Sequence, residues 1–166
     1  MSNFVLTKEI AYNKMQRMAY EIIEKNFEED EIILAGIKEN GLIIAKIIYD
    51  YLKPVFKGKL TVLEIALDKK APKNISLSEE INFDDKVVII TDDVSNSGRT
   101  LLYAVKPFLD FYPKKIQTLV LVERSYQQFP LSPDYVGMSI ATALSEKIIV
   151  EIEGKEISGA RIEYHA

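Results

Sequence analysis

The chain predicts an α/β fold, an open and mostly parallel sheet flanked by helices, and three observations carry that prediction. Apolar runs of strand length alternate with segments of helical spacing. Val87-Val88-Ile89-Ile90-Thr91 is almost entirely β-branched and apolar, the mark of a parallel strand covered on both faces. Two acids, Asp92 and Asp93, follow it directly, then a short polar loop around Gly98 and an apolar helical stretch. With 166 residues and no linker, repeat or low-complexity stretch, the chain is expected to form one domain, 1–166, with a substantial core.

The elements follow in order. Residues 8–25 place Ala11, Met15, Met18, Ala19, Ile22 and Ile23 at helical spacing, and Thr7 is an N-cap residue. After the acidic turn Glu28-Glu29-Asp30, residues 32–36 form a first buried strand. Lys38 to Gly41 is a loop, and 42–52 a helix stopped near Pro54. Residues 60–66 form a second strand. From Asp68 to Asn82 the chain is polar, carries Pro72 and lacks a sustained period, so it reads as a mobile loop. The strand at Val87 and its helix come next, the helix ending before Tyr112-Pro113. Strands are expected at 116–122, 133–136 and 147–151. Gly154 and Gly159 bracket a closing turn, and 161–164 adds an edge strand.

Composition narrows the functional classes. Hydrophobic residues make up 48% and charged residues 28%, ordinary for a globular protein. With 21 basic and 25 acidic residues the net charge is −4, which argues against broad attraction to nucleic acid or acidic membrane. The chain has no cysteine, so disulfides and thiolate metal sites are excluded. The one histidine, His165, reads as solvated rather than catalytic. The start, Met1-Ser2-Asn3-Phe4, lacks a basic stretch followed by an apolar core, so no signal peptide is expected, and no apolar run reaches the length of a membrane span. The expectation is a cytoplasmic protein without a membrane partner.

The acidic doublet is the candidate site. Carboxylates near a helix N-terminus gain only about 0.3–1 kcal/mol, which accounts for one acid but not for two at the end of a buried strand. Ligands of α/β sheets bind at such strand ends. Paired carboxylates accept hydrogen bonds from vicinal hydroxyls, and loop amides at a helix N-terminus hold phosphate, so the pattern suits a sugar phosphate. Receiver domains of two-component signalling also place two acids after a strand. Here 86 residues precede Val87 and the Ser-Asn-Ser-Gly-Arg-Thr loop has no place in that design, which excludes the receiver.

Val87 to Leu102 resembles the phosphoribosyl-diphosphate signature of the type I phosphoribosyltransferases: an apolar strand, two acids, four variable residues, Gly, one residue, Thr. Asp92, Asp93, Gly98 and Thr100 fill the fixed positions. The resemblance implies that fold, with a small hood over the sheet. It makes Asp92 and Asp93 the catalytic carboxylates, binding the ribose 2′- and 3′-hydroxyls and favouring oxocarbenium-like charge as pyrophosphate leaves. It assigns donor binding to Val94, Ser95, Asn96, Ser97, Gly98, Arg99 and Thr100, although an exposed Arg99 is an equal alternative. Mg²⁺ would arrive with phosphoribosyl diphosphate and meet Asp92 and Asp93 only indirectly. Lys38, Glu39, Asn40 and Gly41 stand where the family places its pyrophosphate loop, which often holds a non-proline cis peptide. Tyr135 and Val136, in Pro133-Asp134-Tyr135-Val136-Gly137, resemble the base-covering hood; a Tyr packed at a strand end is the plain alternative. Asn96 stands where the hypoxanthine-guanine branch carries an aspartate. An amide cannot take a proton from a purine ring, which argues against a 6-oxopurine.

From the N-terminal helix to about Ile152 the resemblance runs to the bifunctional pyrimidine-operon attenuator and uracil phosphoribosyltransferase branch. It includes Arg17 to Asn26, the Gly36-to-Ala45 turn and helix, and Ser145-Glu146-Lys147. It implies transfer of ribose 5-phosphate to a nucleobase, uracil favoured, by a homodimeric enzyme. Three departures bear on this. Glu39-Asn40 replaces a Thr-Arg pair. Leu67-Asp68-Lys69-Lys70 offers lysines where the branch has an arginine, losing the bidentate fork. Tyr20, Tyr126, Gln127 and Ala143 replace basic or imidazole side chains of the RNA face, which argues against RNA as a partner. The first two motivate an alternative, a regulatory module that binds the donor or a nucleotide without turnover.

Overall fold

The computed structural model describes residues 3–164, so the expectations for His165 and for the leader at Met1 and Ser2 lie outside the described residues. Phe4–Thr7 is a short strand (β1) absent from the sequence reading, and it runs directly into the helix Lys8–Asn26 (α1). Thr7 is the N-cap as predicted, its hydroxyl accepting the Ile10 N–H at 3.3 Å. Glu31–Ile37 (β2), Asn40–Leu52 (α2) and Lys59–Leu67 (β3) follow. The segment read as a loop contains a strand, Ile75–Leu77 (β4), paired antiparallel to β3 and tied to it by Ser78, whose hydroxyl accepts the Glu64 N–H.

Val87–Ser95 (β5) runs four residues past the apolar stretch, so the acidic doublet lies inside the strand ladder rather than after it. The helix Arg99–Val105 (α3) gives way to a 3-10 turn at Lys106–Asp110, where Pro107 supplies no N–H for an α-helical bond. Lys115–Arg124 (β6) and Tyr135–Ile140 (β7) complete the large sheet; β7 begins two residues later than expected and runs on to Ile140. Glu146–Glu153 (β8) and Glu156–Tyr164 (β9) form a hairpin. Gly154 makes its turn at φ +63°, but Gly159 lies within β9, and 161–164 is not an edge, because β9 is the middle strand of a separate sheet ordered β1-β9-β8.

The large sheet is ordered β4-β3-β2-β5-β6-β7, parallel throughout except at β4. Side-chain alternation splits its core in two. Ile32, Leu34, Val87, Ile89, Leu119 and Leu121 pack with α1 and α2, while Ile33, Ala35, Ile37, Val88, Ile90 and Val120 pack with α3 and Phe108. From β2 the chain crosses to β3 on one side, and from β5 to β6 on the other. The neighbours β2 and β5 therefore flank the topological switch point, and a crevice opens at their carboxyl ends. The three-stranded sheet forms the small hood, β8 reaching across to β5.

Candidate active site

The doublet is held by backbone on both sides. Asp92 is 1% exposed and Asp93 9%, and the N–H groups of Asp93 and Val94 donate to Asp92 Oδ1 and Asp93 Oδ1, each at 2.8 Å. Asn40, at the start of α2, donates its side-chain amide to Asp93 Oδ2 at 2.9 Å. The approach of α2 requires Gly41: a Cβ there would lie 2.4 Å from the Thr91 carbonyl oxygen, and the Thr91 hydroxyl donates to the Gly41 carbonyl at 2.7 Å. The Lys38–Glu39 peptide bond is cis.

Lys69 closes the carboxylate cluster. Its Nζ donates to Asp92 Oδ1 at 3.1 Å and Oδ2 at 3.2 Å, and stands 3.7 Å from Asp93 Oδ1. Arg99 holds the same residue from the other end, donating to the Lys69 carbonyl at 3.0 Å. Burial first, then the Asp93 charge, push the Asp92 carboxyl well above the usual carboxylate range, while Lys69 pulls it back. For Lys69 burial opposes the charge, but Asp92 and Asp93 outweigh it and raise the ammonium above its ordinary value.

The 95–98 loop turns on Gly98, at φ +87°, where a Cβ would stand 3.0 Å from the Leu131 carbonyl oxygen. The Ser97 carbonyl accepts the N–H groups of Gln128 and Phe129, so the 126–131 segment braces the loop from behind. The cavity, of about 550 Å³, is lined on the core side by Asn40, Lys69, Asp92 to Leu101, Gln128 and Phe129. Across it stand Lys147, Ile148, Ile149 and Val150 of β8.

Most of the predicted residues meet there: Asn40, Asp92, Asp93, Val94, Ser95, Asn96, Ser97, Gly98, Arg99 and Thr100 all line the cavity. Lys38 and Glu39 of the β2–α2 turn and Gly41 in the first turn of α2 flank Asn40 but are not in the cavity wall. Tyr135 and Val136 are elsewhere, a correction to the hood reading. Tyr135 is 0% exposed, and its hydroxyl donates to Gln117 at 2.8 Å and accepts from Asn26 at 3.3 Å. Burial pushes this phenol up to about 12, so it serves the core as a neutral group. Val136 offers its carbonyl to Arg17 of α1 at 3.1 Å. Ile148, Ile149 and Val150 of β8 line the cavity instead. These residues are legible in the sequence as a strand but carry no sign there of bordering a cavity.

The description "Phosphoribosyl transferase domain" fits residues 4–154. The chain belongs to the phosphoribosyl transferase family. Family membership makes it a pentosyltransferase by class. This phosphoribosyltransferase is 38% identical over 157 residues to the Bifunctional protein PyrR of Ligilactobacillus salivarius, covering 86% of this chain and 88% of that one. It is likewise 38% identical over 142 residues to the Bifunctional protein PyrR of Streptococcus pneumoniae, 82% of each chain. Among solved structures, the hypoxanthine phosphoribosyltransferase of Trypanosoma cruzi superposes with a TM-score of 0.78 at 17% identity, covering 98% of both chains. A hypoxanthine-guanine phosphoribosyltransferase of Bacillus anthracis gives 0.71 at 22%, covering 90% and 87%. At these identities the two structures speak for the fold of this phosphoribosyltransferase and not for its acceptor. Among the described residues no helix is long and apolar enough to cross a membrane.

Proposed function

We propose that this phosphoribosyltransferase moves ribose 5-phosphate from phosphoribosyl diphosphate to a nucleobase, with uracil the favoured acceptor, and releases pyrophosphate. The observation that carries the proposal is the pairing of opposite walls in one cavity: two carboxylates and a Ser/Gly/Thr loop on one side, an aliphatic strand on the other. A sugar phosphate fits the first wall and the flat face of a base the second.

Each residue then has a task. Asp92 and Asp93 accept the ribose hydroxyls and face the sugar as positive charge develops on it. Their backbone-fixed oxygens need no reorganisation at that moment. The amides and hydroxyls of Ser95 to Thr100 hold the 5′-phosphate, with Gly98 allowing the turn. The pyrophosphate lies toward Lys38 to Gly41, where Asn40 couples that turn to Asp93. Lys69 leaves the carboxylates as the ribose enters and turns to the diphosphate, and the 68–82 segment covers the site against water.

Among the described residues no three His, Asp or Glu side chains gather into a metal site. Two carboxylates beside a phosphate loop fit an ion brought in on the donor's oxygens, Asp92 and Asp93 meeting it indirectly. Bound there, Mg²⁺ would neutralise diphosphate charge. Uracil is favoured by the resemblance of the chain to the uracil-using branch and by Asn96, which lines the cavity and cannot act as a base toward a purine. The acting species is proposed to be a cytoplasmic homodimer working on small molecules, not RNA.

A second reading has one specific observation in its favour: Lys69 already occupies the doublet, as a sensor that holds its ligand without turnover would tolerate. Calorimetric titration with phosphoribosyl diphosphate and Mg²⁺, followed by pyrophosphate release with uracil and then other bases, separates the two. Binding with release on uracil supports the transferase. Binding without release on any base replaces it with the sensor.

A further inference from the structure

The hood sheet and the core sheet share no strand pairing, yet the cavity wall on β8 has to stand at a fixed height above β5. At the cleft the two sheets are joined by the link 141–145, which has no regular structure. Arg124, the last residue of β6, reaches into that link. Its Nε donates to the Thr142 hydroxyl and its Nη2 to the Ala143 carbonyl at 2.8 Å, while its guanidinium lies 4.8 Å over the Tyr126 ring. The Ala143 carbonyl also accepts the Glu146 N–H at 3.0 Å, and Glu146 Oε2 accepts the Ala143 N–H at 2.6 Å. Lys147, the next residue, already lines the cavity.

Among the described residues Arg124 has no carboxylate partner; its fork is used on neutral acceptors of the link. An ion pair would serve charge balance, whereas a planar fork stacked on an aromatic ring and aimed at two adjacent residues fixes geometry. We infer that Arg124 is a positioning residue that sets the height and register of the hood strand over the acceptor base, and so controls affinity for the base separately from affinity for the donor. The inference rests on the transferase reading above. In that reading the donor is held by β5 and the 95–100 loop; the Arg124 side chain donates to neither, and it approaches the loop only through the Tyr126 ring at the start of the segment that braces Ser97.

The test compares Arg124→Ala, Arg124→Lys and Thr142→Val with the unaltered protein. Steady-state kinetics would use uracil, or whichever base is accepted. Arg124→Ala is expected to raise KM for the base about tenfold, with KM for phosphoribosyl diphosphate changed less than twofold. Arg124→Lys and Thr142→Val should fall between. Hydrogen exchange, which needs no turnover, should show faster exchange of the 147–150 amides and unchanged exchange at 95–100. Equal rises in both KM values, or unaltered exchange at 147–150, would overturn the inference. Should the unaltered protein release no pyrophosphate with any base, the transferase reading fails instead, and exchange alone still decides whether Arg124 holds the hood.

Discussion

One ammonium, Lys69 Nζ, is shared by both carboxylates of the doublet, 3.1 Å from Asp92 Oδ1 and 3.7 Å from Asp93 Oδ1. A ligand whose hydroxyls bind those oxygens has to displace it. The lysine therefore has two costs to balance, an uncompensated acid when it leaves and a blocked site when it stays.

Lys69→Met should lower stability by about 1 kcal/mol near neutral pH, toward the exposed-pair end of the range because the lysine side chain is 43% exposed. Asp92 is raised in the folded state, so its own contribution is complete below its unfolded value and is lost as pH rises through the folded one. Lys69 offsets that loss only where Asp92 is charged. Melting curves across the acid range should show the gap between the two proteins opening as pH rises and closing as it falls. A gap independent of pH would refute the pairing.

Asp93→Asn is isosteric, so its melting temperature should stay within a few degrees. Turnover should fall about 10²–10³-fold, the usual effect of removing one preorganised transition-state contact. Single-turnover pyrophosphate release measures this; full activity would mean that the ribose role is wrongly assigned.

Two glycines should fail in different ways. At Gly98 a valine meets positive φ and the Leu131 carbonyl at 3.0 Å, with strain of about 1–2 kcal/mol, and donor affinity should drop at least tenfold. At Gly41 an alanine would meet the Thr91 carbonyl at 2.4 Å and push α2 from β5, a packing cost of about 1–3 kcal/mol. Denaturant titration and calorimetry together distinguish lost binding from lost stability.

Tyr135→Phe should cost about 1 kcal/mol at neutral pH, since the hydroxyl bonds to Gln117 and Asn26 are lost. The phenol lies at about 12 folded against 10.0 unperturbed. Its contribution is thus whole below about pH 10 and is lost as pH rises toward 12, because the unfolded chain releases its proton first. Alkaline unfolding of the variant should be shallower by nearly one proton. Unchanged base binding would also separate Tyr135 from the hood.

What was legible in the sequence is what local chemistry decides. The β-branched run, the acids and the Gly98 loop lie within one segment, so their strand-turn-helix reading needed no distant partner. The rest depended on distant partners. The strand Ile75–Leu77 exists because β3 offers an edge, and Phe4–Thr7 because β9 does. Tyr135 was placed over the base because its neighbours match a motif, but Asn26, far away in the chain, draws its hydroxyl into the core. Lys69 reads in the sequence only as a lysine standing where the branch has an arginine, and its closure on the doublet is a tertiary event that spacing does not encode.

The hood also imposes an order of assembly. Its middle strand, β9, is synthesised after both strands it joins, so β1 and β8 have no common partner while the nascent chain is shorter than about Glu156. The core sheet and its carboxylates are complete before that point. A nascent or truncated chain would thus carry the carboxylate half of the cavity without a roof, and the cavity would be enclosed only when the last strand threads between the other two.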